Sequence, residues 1–189
     1  MSEIAAMCGG RFFGRDVEVS DVVTDSRSYA FGRDAMFVAM CGANHDSHKY
    51  VDSMYDRSLR AFMVEQQPTQ IYSDAGYICV ENSLEALQRL ATEHRRRFAG
   101  EVVAITGSNG KTVVKEWVAR VLPQSAKVFV SPMSYNSQLG VALSLLMIEG
   151  DEDIALIEAG ISQRGEMARL EKMIRPDVVV MTTIGDAHQ

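Results

Sequence analysis

The sequence predicts an α/β protein: a small mixed α/β N-terminal domain, residues 1–98, followed by a P-loop domain with a mainly parallel sheet, residues 99–189. Three observations predict it. The apolar, β-branched run Val102–Ile105 passes through Thr106-Gly107-Ser108-Asn109-Gly110-Lys111-Thr112 into helix-forming residues. After Ala99-Gly100, strand and helix patterns alternate regularly, which argues for a parallel sheet covered on both faces. Before that point, short strand candidates mix with helices and no such alternation holds.

Taken in order, Ser2 can cap a short helix that reaches Cys8 and stops at Gly9-Gly10. Strand candidates follow at 11–13, 17–19 and 22–24, then the polar triplet Asp25-Ser26-Arg27. Residues 35–40 read as a buried strand, 41–46 as a loop and 48–57 as a helix. Residues 61–64 and 77–80 are strands separated by a loop with Pro68. Asn82 with Glu85 three positions on is a capping-box signature for a helix to about residue 98, with Leu84, Leu87, Leu90 and Ala91 on its inner face. Beyond Gly100 the order is strand 102–106, helix 112–122, strand 127–130, helix 138–148, strand 154–158, helix 165–174 and strand 178–182.

Composition narrows the function classes. The chain has 189 residues, 47% of them hydrophobic, which suffices for true cores. A net charge of −6 gives no support to a nucleic-acid surface, and the single basic run, Arg95-Arg96-Arg97, reads as a solvated helix end where cations suit the dipole. The three cysteines, Cys8, Cys41 and Cys79, are odd in number and widely spaced, so neither a disulfide framework nor a zinc pattern follows. Reduced thiols, no apolar run of membrane-spanning length and no signal-peptide pattern at Met1–Met7 point to a cytoplasmic protein.

The chemistry concentrates where strands end. In an open parallel sheet, ligands collect at the carboxyl ends of the strands. Gly107 and Gly110 lack Cβ atoms, so the loop after Thr106 can curl and bring its amides together around an anion. The following helix N-terminus adds favourable partial charge. Thr106, Gly107, Ser108, Asn109 and Gly110 thus form a phosphate cradle, Lys111 can reach the terminal phosphates of a triphosphate, and the Thr112 hydroxyl can ligate Mg2+. The common pattern has a glycine where this chain has Ile105, so the match is to a variant. Glu158 ends the apolar run Ile154–Ile157, the place where P-loop enzymes set an acid that holds Mg2+. His188 follows the last strand; its position alone fits a metal ligand, a phosphate-orienting group or a loop cap. Asn136 alone reads as a loop or N-cap asparagine before the helix at 138.

These motifs together resemble the Mur ligases. Thr106–Thr112, Asn136-Ser-Gln-Leu-Gly-Val141, Glu158-Ala-Gly160 with Gly165-Glu166, and Ile184-Gly-Asp-Ala-His188 match in content, order and approximate spacing. The first domain joins in through Thr24-Asp25-Ser26-Arg27, Ala35–Ala39 and Gly42 with Asp46 and His48. The glycine–glutamate pair and the Ile-Gly-x-Ala-His ending resemble the branch that adds D-alanyl-D-alanine to a UDP-N-acetylmuramoyl-tripeptide. The resemblance implies an ATP- and Mg2+-dependent ligase of peptidoglycan precursor synthesis. ATP would phosphorylate the peptide carboxylate, and the amine of D-alanyl-D-alanine would attack the acyl phosphate. It implies that Lys111, Glu158 and His188 serve catalysis, that Thr112, Glu158 and His188 hold metal, and that Asn136 lies near the substrate carboxylate or γ-phosphate. Asp25, Ser26, Arg27, Asn44 and Asp46 would bind the UDP end. The family has three domains, so the chain reads as a fragment that does not ligate by itself, monomeric and without nucleic acid or membrane partners. The alternatives are another Mur ligase, a folylpolyglutamate synthase-like ligase, or a nucleotide-binding module without catalysis.

Overall fold

The computed structural model describes residues 1–27, 32, 34–42, 45–132, 135–161 and 163–185. The chain divides into two compact units, Met1–Leu90 and Ala91–Gln189.

The first unit begins with helix α1 (Ser2–Cys8), which ends on Gly9 in the left-handed conformation at φ 72°. Met1, not Ser2, occupies the N-cap position; Ser2 already lies in the helix, and its hydroxyl bonds to Asp16. Strands β1 (Arg11–Gly14), β2 (Asp21–Val23) and β3 (Ala35–Val38) follow, then the short hairpin β4 (Cys41–Gly42) and β5 (His45–Asp46). The expected strand at 17–19 does not form. A 3-10 turn at His48–Tyr50 leads into α2 (Val51–Asp56), and β6 (Ala61–Val64) and β7 (Gly76–Cys79) complete the sheet. Its order is β1-β7-β6-β3-β2, with β1 antiparallel and the other pairs parallel. Every residue of β3 and β6 is buried, as expected of strands covered on both faces. Phe37, Phe62, Tyr77, Met54 and Leu59 form the centre of that core.

Helix α3 (Ser83–Arg97) contains the division between the units. Asn82 Oδ1 accepts the Glu85 N–H at 2.9 Å, the N-terminal half of the expected capping box. Leu87, Leu90 and Ala91 are buried as the pattern predicts, while Leu84 is only half-buried.

In the second unit β8 (Glu101–Thr106), α4 (Lys111–Val121), β9 (Val128–Val130), α5 (Gln138–Leu146), β10 (Ile154–Glu158), α6 (Glu166–Ile174) and β11 (Val178–Met181) alternate. They form a four-stranded, all-parallel sheet of order β11-β8-β10-β9. The central strands β8 and β10 supply buried Val102, Ile105, Ala155, Leu156 and Ile157. Their register sets Glu158 beside Ile105, so the last residue of β10 lies next to the start of the loop that leaves β8. Arg95 departs from the solvated reading. It is buried, and its guanidinium donates to the carbonyls of Ile174 and Arg175 and to Asp177 Oδ2, at 2.9 Å, 3.0 Å and 3.0 Å. It satisfies the carbonyl end of α6, a place that attracts cations. Among the described residues, no helix is long and apolar enough to cross a membrane.

Candidate nucleotide site

The loop between β8 and α4 is built by two glycines and clamped by the end of β11. Gly107 has φ 132°, and a Cβ there would stand 2.1 Å from Thr182 Oγ1. Gly110 has φ 81° and is the N-cap of α4. A glycine cap offers no side chain to the first-turn amides, which remain available to an anion. The clamp runs through Thr182 and Thr183. The Ser108 N–H donates to Thr183 O at 2.8 Å, and Thr182 Oγ1 donates to Asn109 O at 2.7 Å. Ser108 Oγ accepts the Gly185 N–H at 3.0 Å. Lys111 folds back over the loop, with Nζ donating to Gly107 O at 2.8 Å and to Ser108 O at 3.2 Å. Its charge is thus already held at the mouth of the curl.

Glu158 meets this loop from the neighbouring strand. Its side chain is about 2% exposed. Thr112 Oγ1 donates to Oε2 at 2.8 Å, and Asn136 Nδ2 donates to Oε1 at 2.9 Å. Thr106 Oγ1 also donates to Ala159 O at 2.9 Å, tying the two strand ends together. Asn136 is free to reach the carboxylate because Ser137, not Asn136, caps α5: its hydroxyl accepts the Gly140 N–H at 3.1 Å. Gly140 lets the helix lie against Tyr135, whose Cα would be 2.6 Å from a Cβ. A cavity of about 470 Å³ opens beside the loop, lined by Thr106–Ser108 and Lys111 on one side and by Ile161, Gln163, Arg164 and Met167 on another.

A hydroxyl and a carboxylate 2.8 Å apart at the first turn of the helix form a hard-oxygen donor pair of the kind Mg2+ accepts. Among the described residues no group of three or more His, Cys, Asp or Glu converges as a cage. A cation here would complete its shell with water and phosphate oxygens, as Mg2+ commonly does. His188 lies outside the described residues.

The first unit's singled-out residues gather at the carboxyl ends of β2 and β3. Asp25 pairs with Arg27 at 2.8 Å, and Arg57 donates to Ser26 O at 2.6 Å. The Arg27 side-chain hydrogen bond, helped by its backbone N–H, holds the Asp25 carboxyl down at about 2, and His45 on the hairpin lowers it slightly further. Asp46 accepts from the backbone N–H of His48 and from its ring Nδ1, at 2.9 Å and 2.6 Å, and both contacts lower its pKa. His48 Nε2 accepts the Glu65 N–H, which fixes the ring proton on Nδ1. Asn44 lies outside the described residues. A separate cavity of about 590 Å³ at the opposite strand ends, lined by Arg15, Asp16, Asp34, Arg60 and Asp74, involves none of the expected substrate residues.

Two contributors were missed by sequence reasoning. Thr182 was read only as the end of a strand. Lys115 was passed over entirely, yet it is fully buried, with Nζ 2.7 Å from Ser131 O and 3.5 Å from Glu158 Oε2. Its spacing of four from Lys111 was the available signal, since that spacing returns to the same helix face.

Fold and loop together define an α/β protein of the P-loop type, with a strand, a glycine curl and a helix facing an acid on the adjacent strand. Residues 105–189 match the Mur ligase middle domain, and nearly the whole chain is similar to ligases of that family. The UDP-N-acetylmuramoyl-tripeptide–D-alanyl-D-alanine ligase of Synechocystis sp. is 31% identical over 92% of this chain and 38% of its own length. That of Escherichia coli is 31% identical over 100% of the chain and 40% of its own length. Among solved structures, MurF from Acinetobacter baumannii superposes with a TM-score of 0.89 at 27% identity, over 100% of this chain and 41% of that one. MurF ligase from Thermotoga maritima in complex with ADP gives 0.77 at 32%, over 89% and 38%. The chain therefore spans about two-fifths of the length of the relatives it matches.

Proposed function

We propose that this chain carries the UDP-binding portion and the phosphate-binding core of an ATP-dependent ligase that joins D-alanyl-D-alanine to a UDP-N-acetylmuramoyl-tripeptide. The observation that carries the reading is the 2.8 Å contact between Thr112 Oγ1 and Glu158 Oε2 at the mouth of the glycine curl. It sets a cation-compatible oxygen pair beside an anion-compatible loop, in a chain whose relatives bear that ligase name. The ADP held by the Thermotoga relative supports the nucleotide assignment.

In this reading Lys111 and the loop amides neutralise the β- and γ-phosphates of ATP. Phosphoryl transfer depends chiefly on such positioning and charge neutralisation. Thr112 and Glu158 hold Mg2+, which when bound offsets the charge on the transferring phosphoryl group. Asn136 orients Glu158 and faces the acceptor carboxylate, and His188 supports the metal. The γ-phosphoryl group passes to the peptide carboxylate, the amine of D-alanyl-D-alanine attacks the acyl phosphate, and inorganic phosphate leaves. Asp25, Ser26, Arg27, Asn44 and Asp46 hold the UDP end. The protein acts in the cytoplasm as a monomer.

Calorimetric titration tests this with three arms. The UDP-linked tripeptide and Mg2+-ATP should each bind the chain, and a folate should not. Lys111→Ala should lose the ATP arm by at least an order of magnitude and keep the UDP arm. An unchanged ATP arm in Lys111→Ala, or a folate that binds in place of the UDP-linked peptide, would overturn the assignment.

A further inference from the structure

The carboxylate of Glu158 is held unequally. Oε2 accepts the Thr112 hydroxyl at 2.8 Å and forms an ion pair with the Lys115 ammonium at 3.5 Å. Oε1 accepts, among the described residues, the neutral amide of Asn136 at 2.9 Å. Oε2 thus faces a full positive charge as well as a hydroxyl, whereas Oε1 meets only a neutral amide. Lys115 cannot easily give way. Its side chain is wholly buried, and Nζ is anchored a second time on Ser131 O at 2.7 Å, at the end of the adjacent strand β9. Ser131 Oγ in turn accepts the Glu158 N–H at 3.1 Å, so lysine, serine and glutamate brace one another.

We propose that Lys115 is a positioning residue that restricts Glu158 to a single coordinating oxygen, so that the site prefers a small divalent cation such as Mg2+ over Ca2+. The inference rests on the cation reading of Glu158 given under Proposed function. Mg2+ takes one oxygen from a carboxylate, keeps several waters and demands a compact octahedron. Ca2+ takes more ligands and gains from bidentate carboxylates. With Oε2 tied to a wholly buried ammonium, chelation through both oxygens requires the lysine to give up that ion pair. The selectivity therefore resides in a residue that does not touch the metal.

Displacement of Mn2+ from the chain, read by electron paramagnetic resonance, tests this. For the wild type, Mg2+ should displace half the bound Mn2+ at a concentration about tenfold lower than Ca2+. Lys115→Met should abolish or reverse that order, and Lys115→Arg should keep it. Lys115→Gln, which retains a donor without the charge, serves if the methionine variant does not fold; its Mg2+ preference should shrink. A purely structural lysine would weaken all three cations equally and leave the ratio unchanged, and that result overturns the inference alone. Equal displacement by Mg2+ and Ca2+ in the wild type overturns it without any variant. Mn2+ binding that is identical in wild type and Glu158→Gln overturns the cation reading and the inference together.

Discussion

Gly107 carries the tightest constraint in the loop. Its φ of 132° is disfavoured for a side chain, and the space a Cβ would need is taken by Thr182 Oγ1 at 2.1 Å and Thr183 O at 3.0 Å. Gly110 also has a positive φ, 81°, but nothing lies within 4 Å of its would-be Cβ. Gly107→Ala should therefore destabilise by roughly 2–4 kcal/mol, from strain plus overlap. Gly110→Ala should cost only about 1 kcal/mol, from the left-handed backbone alone. Urea unfolding of both variants checks the order; equal midpoints would contradict it. Asp25 makes a different kind of prediction. Its folded-state pKa, about 2, lies below the roughly 3.9 of an unfolded aspartate, so its contribution is present above the latter value and lost as pH falls towards the former. The pair is exposed, so its effect on stability is small. Carboxyl NMR titration should find Asp25 depressed in the wild type and returned to the ordinary range in Arg27→Ala. At this scale motif and strand-end position pointed to the loop residues and Glu158, which the fold brings side by side. It left Asn136 undecided, because only the capping of α5 by Ser137 releases the asparagine side chain.

Among the elements, α3 and α4 show what periodicity can and cannot reveal. The start of α3 was legible because a cap is a local contact: Asn82 and Glu85 are neighbours in the chain. Asn82→Ala should cost about 1 kcal/mol, measurable as a lower unfolding midpoint; no change would mean that the Oδ1 contact carries no stability. The end of α3 was misread because Arg95 answers to the carbonyls of α6 and to Asp177, some eighty positions away in sequence. Burial also draws the Arg95 pKa down, an effect that Asp177 partly offsets. Helix α4 runs against simple hydrophobic periodicity. Val113, Trp117 and Val121, at successive spacings of four, are 53%, 65% and 81% exposed, while Lys115 is buried. Hydrophobic periodicity would place the valines and the tryptophan inside. The strand ends that face this helix present Glu158 and the Ser131 carbonyl, polar groups that Lys115 meets from α4.

At the scale of the molecule, the mixed first unit and the parallel second unit were both legible, since strand–helix alternation after Gly100 leaves few topologies open. The strand order β11-β8-β10-β9 was not legible, yet it is what brings the site together. It places β8 between β10 and β11, so the loop leaving β8 meets Glu158 on one side and Thr182 on the other. The central claim is that this junction grips a nucleotide's polyphosphate. The most direct measurement is the change in amide NMR shifts of the 189-residue chain when Mg2+-ADP is added. The account predicts that the largest changes fall on Gly107–Thr112 and on the Asn136 side chain, and that they vanish in Lys111→Ala. Changes confined to Met1–Leu90, or an unchanged response in Lys111→Ala, would contradict it.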